Sequence, residues 1–121
     1  MKKIIKFLIL ILSINTFAAE EVLYCVEEKK IGFEPSEDYK QYSYSTIRFT
    51  AKVDFVKKSF SSADIFFTYG AQCKRSEGPS LKCRNQFGST FTLFENDLKF
   101  VRTSTYVPDS VYLAHGYCES F

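Results

Sequence analysis

From Tyr44 to Val56 the chain alternates: Ile47, Phe49, Ala51, Val53 and Phe55 fall on one side, and Arg48, Thr50, Lys52 and Asp54 on the other. Successive side chains of a strand point to opposite faces, so this period of two predicts a half-buried strand. Other segments rich in aromatic and β-branched residues repeat the signal at short intervals: Val22 to Glu28, Ala63 to Tyr69, Ser80 to Arg84, Ser89 to Glu95, Leu98 to Ser104 and Val111 to Cys118. Turn-forming residues separate them: Gly70, the Gly78-Pro79 pair, Asn85 to Gly88, Glu95-Asn96-Asp97 and Pro108-Asp109. Seven to eight short strands joined by short turns predict an all-β fold, an antiparallel barrel or a sandwich. The stretch from Gly32 to Tyr42 departs from the pattern. Pro35, at the start of Pro-Ser-Glu-Asp, suits either the first position of a short helical turn or a polar loop.

The first eighteen residues read differently from the rest. Lys2, Lys3 and Lys6 form a positive start, Phe7 to Leu12 continues an apolar run begun at Ile4, and small residues follow, which is the layout of a secretory signal peptide. Cleavage after Ala18 places Thr16 two positions before the cut. Cleavage after Ala19 would place bulky Phe17 there, so Ala18 is favoured and Ala19 is second. The run falls short of the roughly 20 apolar residues of a membrane-spanning helix, so no stable membrane insertion is expected once the leader is removed. The remainder, residues 19–121, is expected to form a single β domain that is periplasmic or secreted.

Loss of three leader lysines from sixteen basic residues leaves thirteen against fourteen acidic ones, a near-neutral domain. That balance argues against nucleic-acid binding, which draws on a clustered basic face. A domain of about a hundred residues buries only roughly 60 to 65% of its unfolded surface, so its core needs help. Abundant Phe and Tyr offer large buried area. Four cysteines, Cys25, Cys73, Cys83 and Cys118, offer covalent support, and an even count in an exported chain reads as a disulfide framework. Three pairings are possible. The favoured one joins Cys73 to Cys83 across the Gly78-Pro79 turn and Cys25 to Cys118 across the ends, which would suit a barrel whose first and last strands are neighbours.

No catalytic or cofactor-binding residues are assigned. His115, the single histidine, sits in Ala-His-Gly-Tyr-Cys with no nucleophile motif beside it, and no C-x-x-C pair or phosphate-cradling glycine loop is present. The acid pairs Glu27-Glu28 and Glu37-Asp38 have the residue types of a glycosidase, but neighbouring acids on a strand face opposite ways and read as solvated surface. Tyr42, Tyr44, Arg48, Lys52, Phe100 and Arg102 mix rings and cations as single-strand binders do. The simpler expectation for them is aromatics inward and charges outward. Surface tyrosines would instead favour protein or carbohydrate contact.

Tyr24-Cys25-Val26-Glu27, Gly32-Phe33-Glu34-Pro35, Arg48-Phe49-Thr50, Leu98-Lys99-Phe100 and the ending Gly116-Tyr117-Cys118-Glu119-Ser120-Phe121 resemble a group of short exported bacterial proteins to which no activity is attached. The resemblance implies bacterial origin and a periplasmic location. Tyr24-Cys25 and Cys118 are also similar to the outline of C-type periplasmic lysozyme inhibitors, which are small antiparallel barrels. Those carry a Ser-Gly-x-x-Tyr type loop, where this chain has Gly88-Ser89-Thr90-Phe91, so the likeness extends to architecture and assigns no inhibitory residue. The reading is a non-catalytic binding or interaction module, an enzyme inhibitor among the possibilities, whose partner is another periplasmic protein. The alternative is a small carrier of an apolar ligand, and a hydrolase using His115 ranks third.

Overall fold

The computed structural model describes residues 20–65, 67, 71–76, 79–105 and 111–120. The signal segment, the Pro108-Asp109 turn, Gly70 and Gly78 lie outside them. The described chain is an antiparallel barrel, nearly closed, with two disulfides. Nine strands follow in order: β1 (Glu21–Glu34), β2 (Lys40–Ser43), β3 (Arg48–Asp54), β4 (Ser59–Ser61), β5 (Gln72–Ser76), β6 (Ser80–Arg84), β7 (Thr90–Phe94), β8 (Lys99–Ser104) and β9 (Val111–Ser120). The hydrogen-bonded path runs β4-β3-β1-β9-β8-β7-β6-β5, with β2 paired to the far half of β1. The seam falls between β4 and β5.

Alternation decides what enters the barrel. In β3, Phe49, Ala51 and Val53 are buried while Arg48, Thr50 and Lys52 are exposed, as period two requires. Ile47 lies before the strand and is exposed; Asp54 is buried because its carboxylate accepts the Lys57 amide in the following turn. The interior is filled by phenylalanines. Phe91 is fully buried, stacked on Phe60 at 4.2 Å and on Phe100 at 5.1 Å, with the Phe49 ring edge-on at 6.0 Å. Offset and edge-to-face rings add roughly 0.5 to 1.5 kcal/mol per pair beyond area burial.

Both disulfides join directly opposed residues of paired strands: Cys25 to Cys118 between β1 and β9, and Cys73 to Cys83 between β5 and β6. First and last strands are therefore neighbours, as the favoured pairing anticipated. A short 3-10 turn at Pro35–Glu37 begins with Pro35.

Several expectations need correction. The strand foreseen at Val22 to Glu28 runs to Glu34, kept in the ladder by a bulge between Glu27 and Lys29. Ala63 to Tyr69 forms no strand where it is described: residues 63–65 turn, and Ser62 bridges Phe67. Ile65 and Phe67 are buried in the core. β2, β4 and β5 were missed, β5 because Gln-Cys-Lys-Arg-Ser has almost no apolar side chain to reveal it.

Candidate functional site

Beyond the bulge, β1 and β9 continue together and β2 joins them, so this end of the barrel has a wall with an inward face. Its residues come in cross-strand rows. One row is Glu27, Gly116 and Phe100; the next is Lys30, Ala114 and Arg102; the next is Tyr42, Gly32 and Tyr112. Small residues occupy the middle of every row. A Cβ at Gly116 would overlap the Val26 carbonyl oxygen, and one at Gly32 would meet the Tyr112 Cα at 2.6 Å. The two glycines let the paired backbones approach more closely than a side chain would allow.

Glu27 is the hub. Its side chain is wholly buried, one oxygen receiving Lys30 Nζ at 2.8 Å and the Ile47 amide at 3.0 Å, the other receiving Arg102 Nε at 2.5 Å. The Glu27 amide in turn donates to the Ile47 carbonyl at 3.0 Å. Burial alone would raise the Glu27 carboxyl. Hydrogen bonds from Lys30, Arg102 and Ile47, with the attraction of the Arg102 charge, more than offset that and hold it below the ordinary glutamate value. A carboxylate so fully occupied stays ionised at neutral pH and has no proton to give as a general acid. Its role is positional.

Two cations against one carboxylate leave a surplus positive charge, and Tyr112 takes it up. Arg102 Nη1 donates to the Tyr112 hydroxyl at 3.0 Å, and Arg102 and Lys30 lie 5.1 and 5.0 Å from the ring centroid. Cation–π contacts of this kind contribute roughly 0.5 to 2 kcal/mol. Tyr112 begins a strip of half-buried rings: Tyr44 stands 6.1 Å from Tyr112 and 6.2 Å from Tyr42. The Tyr44 hydroxyl donates to Glu34, and Lys40 lies over the Tyr42 ring at 5.8 Å. Phe33 and Tyr39, at the same end, are exposed by 48% and 57%, far beyond what packing requires.

The candidates named from the amino-acid pattern divide accordingly. Glu27 is buried, against the expectation of solvated surface, while Glu28 is exposed. Arg102 points inward, against the expectation of charges outward, whereas Arg48 and Lys52 do face solvent. Tyr42, Tyr44 and Arg102 gather at one end, and Phe100 belongs to the core. His115 is exposed on the outer face of β9, between Val101 and Lys29. All four cysteines are in disulfides, which fits an oxidising, exported environment. Among the described residues no helix is long and apolar enough to cross a membrane. Lys30 and Tyr112 were missed altogether. The signal for the charged cluster was available: Leu23, Cys25 and Glu27 share one parity, so an acid stood at a core position.

No protein family, curated protein or solved structure matches this chain.

Proposed function

We propose that the protein is a non-catalytic interaction module of the bacterial periplasm whose contact surface is the tyrosine strip at the end of the barrel, and whose partner is another exported protein. The observation that carries this reading is the mounting of Tyr42, Tyr44 and Tyr112, ring against ring, on a buried, internally hydrogen-bonded charge cluster. Tyrosines held this way contribute large contact area with little conformational freedom left to lose, and tyrosine and arginine dominate binding hot spots. Inhibition of an exported enzyme is one interaction such a surface serves. Carriage of an apolar ligand inside the barrel has less support, because phenylalanine rings occupy the interior.

The test is capture of one partner by the tagged mature protein from a periplasmic extract, compared with the Tyr42→Ser variant. The expected result is a single stoichiometric protein with the parent that is depleted at least tenfold with a variant of unchanged melting temperature. Retention of that partner by the variant would move the contact surface elsewhere. Recovery of a bound apolar molecule and no protein would replace this reading with the carrier.

A further inference from the structure

On the opposite side of the sheet from the barrel interior, β5, β6 and β7 form a shallow groove of about 510 Å³. Its polar lining is Gln72, Lys74, Lys82, Arg84, Thr90 and Thr92, all on the outward parity of their strands. Lys74 and Lys82 are direct cross-strand partners, and Arg84 follows Lys82 on the same face. Like charges set directly opposite one another on a sheet destabilise it. Among the described residues the ion pairs are Glu27 with Lys30, Glu27 with Arg102, and Arg75 with Glu95, so none of the three groove cations is neutralised.

A simpler account exists for part of this. Lysines on an edge strand discourage another chain from adding to the sheet, and β5 borders the seam, so Lys74 is explained. Lys82 and Arg84 are not. They stand on β6, which is hydrogen-bonded on both sides and has no edge to guard.

We propose that this groove binds a phosphorylated sugar, with the phosphate held by Lys82, Lys74 and Arg84 and the sugar hydroxyls met by Gln72, Thr90 and Thr92. Three cations match the double charge of a phosphate monoester better than a single carboxylate, and the planar guanidinium of Arg84 suits two phosphate oxygens at once. Besides the Cys73–Cys83 disulfide, the uncharged lining consists of hydroxyl and amide groups; Thr92 stands beside Lys82 and Thr90 beside Arg84 in register. The Thr90 hydroxyl shares one hydrogen bond with Thr103 at 2.6 Å and keeps further capacity. No ring is among these lining residues, so a nucleobase would find nothing to stack on. The volume lies within the usual range for small-ligand sites, and the cations approach one another at their natural cost until an anion sits between them.

The test follows backbone amide shifts by NMR during titration with glucose 1-phosphate, glucose, inorganic phosphate and poly-glutamate, using the parent and Lys82→Gln. Glucose 1-phosphate is expected to perturb β5 to β7 and to bind at least tenfold more tightly than glucose or phosphate. Lys82→Gln is expected to weaken it at least tenfold while raising the melting temperature, since one repulsion is removed. Equal binding by the variant, binding no tighter than inorganic phosphate, a preference for poly-glutamate, or no perturbation of these strands would each overturn the proposal. A second variant, Arg84→Gln, guards against a local change at Lys82 and is expected to show the same loss.

Discussion

Glu27 is a carboxylate taken out of water and given three donors in return, and the arrangement is costly to interrupt. Replacing it with glutamine would leave Lys30 and Arg102 buried with no counter-charge, a change that typically costs about 3 to 5 kcal/mol. Glu27→Gln is accordingly expected to lower the denaturant midpoint strongly at pH 7. The pH dependence has a definite sign. The folded-state value is depressed, so the stabilisation is complete above the unfolded glutamate value of about 4.3 and is lost as pH falls through the lower folded value. Acid titration of the melting temperature should therefore bring the parent and Glu27→Gln together below that window, and a constant gap would contradict this origin. How far such a residue can be read from sequence depends on parity alone. Val22, Tyr24 and Val26 flank it outward while Leu23 and Cys25 share its face, so its burial was legible. Its partners were not, since Arg102 is 75 residues away and Lys30 reaches the same face only because the bulge resets the alternation.

At the level of elements, β1 does two jobs. Its first half pairs with β3 and its second with β2, and β9 lies along both. Strong alternation made β3, β6, β7, β8 and β9 readable in outline. The three missed strands share a cause: each is short or polar, and each is held by a neighbour. β5 pairs in the barrel through β6 alone, and the Cys73–Cys83 bond fastens it there. The two disulfides are expected to contribute unequally. Loop-closure entropy gives about 4.5 kcal/mol for the span of 93 residues from Cys25 to Cys118 and about 3 kcal/mol for the span of 10. Serine pairs at each site, compared by chemical denaturation, should lose more stability at Cys25 and Cys118. Loss at Cys73 and Cys83 should instead appear as fast amide exchange confined to β5 and its turn with β6. Equal and global effects would show that β5 is bound into the barrel more firmly than its single ladder implies.

Over the whole molecule, composition does not show how charge is laid out. The outer face of β5 and β6 carries Lys74, Lys82 and Arg84, whereas elsewhere the signs mix, with Glu28 and Glu119 exposed on strands and Lys57 and Lys58 exposed in a turn. Composition could not reveal that, because parity and strand order together place each charge. The same strand order joins the two ends of the domain: Leu23 stands opposite Ser120, and the Cys25–Cys118 bond lies just inside them. A pulling force applied at the two ends of the domain would run through that covalent link and leave the barrel slack. Under tension the oxidised protein should extend by little more than the residues outside that bond. After reduction the span of 93 residues becomes available, an added contour of about 330 Å at roughly 3.6 Å per residue. The domain is thus built as a closed shackle, whose fold carries no load until that one bond is reduced.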